Sequence, residues 1–197
     1  RPRLASPTLP PMNVHEAILT RRSIKRFAER AVAPAELERL LEAAVLAPNH
    51  RMTQPWRFLV LGPEARRAYG RVLGSRKAAK VTDPAAAELV ARNIEEDYAG
   101  LPAVIGVAMH VEGKPEDREE DYAATYMAVE NLLLQAVELG LGTHVKTGAV
   151  MDDPRVRQAF QLPDDERLVA IVQVGYPLEQ PQPKPRRPAA ELTRWLP

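Results

Sequence analysis

The sequence predicts a layered protein of the α+β or α/β class, with a small sheet and one core. Three observations lead there. Helical and strand-like segments alternate along 197 residues, enough for one domain with a real core. Two runs, Ala103 to His110 and Leu168 to Gly175, are nearly continuously apolar, as strands buried on both faces are. Between them Glu119 to Gly140 reads as a long helix that is apolar over much of its surface.

Residues 1–12 carry four prolines, two arginines and no acid. They lack the apolar centre of a secretory signal and read as a disordered arm, with Met12 an alternative start. Residues 13–197 read as a single domain. Val14 to Arg22 is expected as a short helix delivering arginines at its C-terminal end. Pro34 to Ala47 is the clearest helix. Pro34 suits its first turn, Leu37, Leu40, Leu41, Ala44 and Val45 share one face, and Pro48 ends it. Arg57 to Leu61 is a short strand. Two alanine-rich helical segments follow, Pro63 to Lys80 and Pro84 to Tyr98, with Arg71 to Asp83 loop-prone. The long helix presents Tyr122, Tyr126, Val129, Leu133, Ala136 and Val137, and its breadth suits a central position or a subunit interface. Gly140 suits its C-cap. Leu141 to Lys146 reads as a strand. Asp153 to Phe160 reads as a helix with an aspartate cap and Pro154 at its first position. From Pro177 the chain is proline-rich and ends in Leu192, Trp195 and Leu196, apolar residues that suggest a docked tail.

The absence of cysteine excludes disulfides, thiolate metal sites, cysteine nucleophiles and redox dithiols, so any redox electrons must sit on a bound cofactor. A net charge of +1 gives no global attraction to nucleic acid or anionic membrane. No apolar run has the length of a membrane span, so cytoplasmic residence is the expectation. His15, His110 and His144 show no metal-ligand spacing. No Gly-x-Gly-x-x-Gly follows a strand and no Gly-x-Ser-x-Gly is present, which removes the Rossmann and hydrolase fingerprints. The acidic run Glu116 to Asp121 reads as a solvated helix start.

Two segments carry the chemistry. Arg21-Arg22-Ser23-Ile24-Lys25-Arg26 crowds four cations and a hydroxyl into six positions, which suits a multiply charged anion such as a phosphate. On spacing alone, a solvated basic patch complementing a helix end is the readier explanation. If the segment is extended, Arg21, Ser23 and Lys25 fall on one side. About twenty residues later comes Ala47-Pro48-Asn49-His50-Arg51-Met52-Thr53-Gln54-Pro55-Trp56, a polar loop bounded by prolines. Gly140-Leu141-Gly142-Thr143-His144-Val145-Lys146-Thr147-Gly148 has glycines that fit either a close approach to a ligand or a helix cap and turn. Lys184-Pro185-Arg186-Arg187 is a second basic cluster.

Together these blocks resemble the nitroreductase-like flavoproteins, and the Pro-Asn-His start of the polar loop is similar to that family's compact subgroup. The resemblance spans Val14 to Arg187. It implies an α+β fold, with a small mixed sheet flanked by helices, in an intertwined homodimer with FMN at the interface and the tail docked there. It implies FMN contacts for Arg21, Arg22, Ser23 and Lys25, and for His50 in the polar loop. Asn49 and Thr53 depart from the serine and asparagine common in the family. Val145, Lys146 and Thr147 would face the flavin, a lysine there favouring its anionic reduced form. Lys184 and Arg186 would close on the phosphate with Arg21. The implied activity is two-electron transfer from NAD(P)H to nitroaromatic or quinone-like acceptors by a ping-pong route, with no catalytic protein base and no metal. Two alternatives are a flavin-binding or sensing protein without turnover, and a flavin-fragmenting or dehalogenating relative, for which Gly62 to Pro102 is the only room for a lid.

Overall fold

The computed structural model describes residues 12–111 and 113–197, so the arm expected at positions 1–12 lies, apart from Met12, outside the described residues. Four strands form one sheet in the order β1-β2-β4-β3, where β1 is Trp56–Val60, β2 is Ala103–His110, β3 is Gly142–Lys146 and β4 is Glu166–Gly175. Each strand pair is antiparallel. Among the described residues, the sheet expected to be mixed is therefore mixed only through an isolated parallel bridge between Ser23 and Thr143.

Helices cover both faces. The helices α1 (Val14–Thr20), α2 (Pro34–Ala44) and α5 (Pro115–Glu138) lie on one side. The helices α3 (Pro63–Ala78), α4 (Pro84–Gly100) and α6 (Pro154–Ala159) lie on the other, and a short α7 (Ala189–Leu192) stands in the tail. Strand alternation divides β2 between two cores. Ala103, Ile105, Val107 and Met109 pack toward α5 with Leu40, Trp56, Ala128 and Leu132. Val104 and Ala108 pack toward α3 and α4 with Tyr69, Tyr98, Phe160 and Ile171. The continuous apolar runs of β2 and β4 thus reflect burial on both faces; parallel pairing is not needed to explain them.

The helix α5 begins a turn earlier than its apolar stripe, at Pro115, with Glu116 and Asp117 in the first turn complementing the macrodipole. It ends where Gly140 takes φ +70° and Leu141 N–H donates to Ala136 O at 2.8 Å. The segment 71–83, expected to be loop-prone, is helical as far as Ala78. Two glycines in this helix let it touch the next. A Cβ on Gly74 would lie 2.6 Å from Ala91 O, and one on Gly70 would lie 2.9 Å from Tyr98 Cβ. Among the described residues no helix is long and apolar enough to cross a membrane.

Candidate functional site

The site is built on β3, an edge strand beside β4. At its start, Gly142 leaves room for Ile24, whose Cγ1 lies 2.5 Å from where a Cβ would stand. The close approach that the glycine permits is therefore to the protein's own chain and not to a ligand. Ile24 is buried there, and its N–H donates to Thr143 O at 2.8 Å. Further on, Ala28 N–H donates to Tyr176 O and Leu178 N–H to Arg26 O. The cationic segment after α1 is thus extended and strung along the end of the sheet.

This arrangement separates the predicted cations. Arg21 meets Glu130 of α5 at 3.6 Å. Arg22 folds back on α1, donating to Leu19 O at 2.7 Å and Arg21 O at 2.9 Å, so it caps the helix end. Ser23 spends its backbone on the bridge to Thr143, with its side chain exposed. Lys25 turns into a cavity of about 560 Å³ that it shares with Lys146, Thr147, His144 and Lys77. Tyr69 and Tyr98 line the same cavity, with Gln173 of β4 and Asp97 of α4.

Of the sequence-predicted residues, the structure brings Lys25, Lys146 and Thr147 together. Val145 lies on the opposite face of β3 and packs into the α5 core, so only its backbone faces the site. His50 stands in a single 3-10 turn, His50–Met52, outside the cavity lining, with Nδ1 2.6 Å from Glu120 Oε2. Lys184 and Arg186 are exposed on the tail; Arg186 donates to Lys184 O and Pro185 O at 3.4 Å, and neither lines the cavity. The tail is fastened near its base, where Gln180 Nε2 donates to Thr20 O at 3.0 Å.

Sequence reasoning missed His144 and Lys77. The period-2 alternation of β3 could have found His144, two residues before Lys146. Lys77 fell in a segment read as loop. Burial, reinforced by Lys146 and Lys25, holds the His144 imidazole down to about 4, so it is neutral at pH 7. Burial, with Lys25 and Lys77 nearby, also lowers the Lys146 ammonium from its ordinary value. Burial raises both the Tyr69 and the Tyr98 phenols. Tyr98 Oη is buried with no partner in hydrogen-bond geometry, although Tyr69 and Gln173 stand beside it. Among the described residues no group of acidic or histidine side chains could hold a metal ion.

The arrangement is a part-aromatic cavity with three ammonium groups, a hydroxyl, a carboxamide and one carboxylate. It suits a planar ligand with a hydrogen-bond-accepting edge that carries or gains negative charge. FMN fits that donor set, since ammonium groups favour its carbonyl edge and the unpartnered phenol offers one more polar contact.

Comparison with known proteins places these features in context. The model of the Nitroreductase family matches residues 18–176. YfhC of Bacillus subtilis, provisionally named an NAD(P)H nitroreductase, is 36% identical over 176 residues, covering 89% of this chain and 90% of its own. The crystal structure of a nitroreductase-like family protein from Bacillus cereus superposes with a TM-score of 0.81 at 30% identity, covering 94% and 96%. A structure from Desulfovibrio desulfuricans, provisionally assigned as a nitroreductase and solved in complex with FMN, superposes with a TM-score of 0.71 at 27% identity, covering 93% and 96%.

Proposed function

The chain belongs to the nitroreductase family, and on that premise we propose that it is an FMN-dependent oxidoreductase. It passes two electrons from NAD(P)H to nitroaromatic or quinone-like acceptors by a ping-pong route, as a cytoplasmic homodimer. The observation that carries this reading is the convergence of Lys25, Lys77 and Lys146 on one cavity walled by Tyr69 and Tyr98.

When bound, FMN supplies the hydride-transfer chemistry. The chain's residues supply its setting. Lys25 and Lys146 place positive charge at the cavity edge, where it favours negative charge on a bound ring. Leu73, Ile94 and Leu101 wall the cavity with apolar surface and limit water. The neutral His144 adds a hydrogen-bonding group without adding a fourth cation. Arg21, Arg22 and Ser23 stand outside the cavity lining, Arg21 held by Glu130 and Arg22 by the end of α1, and Val145 contributes backbone. His50, Lys184 and Arg186 stand outside the cavity of their own protomer, so in the homodimer they serve the site of the other.

The test is direct. Purified protein should be yellow, and acid should release a flavin that co-migrates with FMN. Anaerobic mixing with NADPH or NADH should bleach it. A colourless protein that takes up no added FMN overturns the proposal. FMN that binds but is bleached by neither donor leaves a flavin-binding protein without turnover.

A further inference from the structure

We propose that Asp121 is a positioning residue for His50, acting through Thr53 and Asn49, and that the acidic start of α5 is the anchor of a strained loop. The inference rests on the FMN reading above, because the loop's purpose is to present His50 to the flavin.

The loop backbone is unusual. Arg51, Met52 and Gln54 have φ of +59°, +52° and +46°, so three of four consecutive residues occupy the left-handed region without being glycine. Side chains disfavour that region, and such residues persist only where the surroundings over-determine them. The surroundings here are three carboxylates. Asp117, Glu120 and Asp121 are spaced i, i+3, i+4 and therefore share one face of α5. Arg51 donates to Asp117, His50 Nδ1 pairs with Glu120 Oε2 at 2.6 Å, and Thr53 Oγ1 donates to Asp121 Oδ1 at 2.5 Å. Within the loop, Asn49 Oδ1 accepts from Gln54 N–H at 2.6 Å and Asn49 Nδ2 donates to Thr53 Oγ1 at 3.0 Å.

Asp121 differs from its two neighbours. It is buried, at 7% exposure, and its carboxylate accepts from the Thr53 hydroxyl. A carboxylate buried against one hydroxyl contributes little to stability, because the desolvation cost is poorly offset. What it does contribute is direction. It fixes Thr53, which fixes Asn49 and the amide of Gln54. The imidazole is then held with Nδ1 toward Glu120. The asparagine and threonine that depart from the common family pattern are the two residues this anchor uses.

Two variants test it, Asp121→Ala and Thr53→Val; Thr53 is exposed, so the second does not endanger folding. Trypsin cleavage after Arg51 in the FMN-free protein reports on the loop itself, and equilibrium titration with FMN reports on the site. Both variants should be cut faster at Arg51 and should bind FMN about tenfold more weakly, the scale of coupling in a shared hydrogen-bond network. Adding Asp121→Ala to His50→Ala should weaken FMN no further, and Asp121→Ala should not lower the thermal midpoint. Unchanged cleavage with unchanged FMN affinity overturns the proposal, as do affinity losses that multiply in the double variant. A wild-type protein that takes up no FMN overturns the functional reading as well. Wild-type binding that all the variants retain overturns the positioning role alone.

Discussion

His144 shows how a single side chain reports on its cavity. It shares the space with Lys25, Lys77, Lys146 and Asp97, and with the phenols Tyr69 and Tyr98. Burial first, then Lys146 and Lys25, lowers its pKa from 6.5 to about 4. The sign of the consequence follows from linkage. Above pH 6.5 the imidazole is neutral in both folded and unfolded chains, and it has no effect on stability. Between 6.5 and about 4 the unfolded chain takes up the proton and the folded chain does not, so stability falls as the pH falls through that window. The thermal midpoint of wild type should therefore drop more than that of His144→Gln on going from pH 7 to pH 5. Differential scanning at the two pH values measures this, and the comparison cancels the other titrating groups. Equal drops in the two proteins would mean that His144 takes up its proton over the same pH range in the fold as in the unfolded chain. The alternation of β3 could place this residue beside Lys146 but not describe its environment, which is made by Lys25 from one segment and Lys77 from another.

At the scale of elements, the pairing of α3 with α4 depends on two glycines. Gly74 lets Ala91 approach so closely that a Cβ would lie 2.6 Å from Ala91 O. Alanine is the better helix former by about 1 kcal/mol, so propensity alone predicts that Gly74→Ala stabilises. Backbone cannot yield as a flexible side chain can, and overpacking of this kind costs about 1–3 kcal/mol. Gly74→Ala should therefore be destabilised in denaturant titration. Gly100→Ala, which meets nothing within 4 Å, should be neutral or slightly stabilised and serves as the control. A stabilised Gly74→Ala would mean that the two helices are not in that contact. The same glycines mark where the sequence was hard to read. A glycine in a polar helix signals flexibility or close approach with the same letter, and Ala91 lies too far along the chain to decide between them. By contrast, β2 was legible to its ends, since a strand buried on both faces writes itself as a nearly continuous apolar run, here beginning after Pro102 and closing at His110. Lys25 stood out in one motif and Lys146 and Thr147 in another, and the fold brings the three to one cavity. The role of Arg22 was not legible, because a cation that caps its own helix and a cation that awaits an anion share one sequence.

For the whole molecule, the described chain leaves apolar surface that its own fold does not cover. Val14, Ile18 and Leu19 on α1 are more than half exposed, and Leu46 beyond α2 is 79% exposed. An apolar groove of about 310 Å³ runs between α1, α2 and α5, lined by Met12, Val14, Leu46 and Leu134. At the far end of the chain Trp195 and Leu196 are 91% and 86% exposed. A tail and a groove that remain unmatched within one protomer are what an intertwined dimer would match between two. Obligate interfaces of that kind bury about 2,000–5,000 Å² in total. The protein should therefore sediment as a dimer at micromolar concentration, and removal of residues 189–197 should shift it toward monomer. The basic cluster just before that segment gives the sharper test, because Lys184 and Arg186 meet no anion among the described residues of their own protomer. If they close on the FMN phosphate in the dimer, each supplies a charge-assisted hydrogen bond of roughly 1.5–3 kcal/mol. Lys184→Ala or Arg186→Ala should then weaken FMN by roughly ten- to a hundredfold. Riboflavin, which lacks the phosphate, should bind wild type more weakly than FMN does and be nearly indifferent to either substitution. Loss of the dimer would weaken both ligands alike, so the ratio of the two affinities separates a phosphate contact from a packing role. Equal losses for FMN and riboflavin would confine the tail to holding the two chains together, and the phosphate would fall to Arg21 with Arg22 and Lys25.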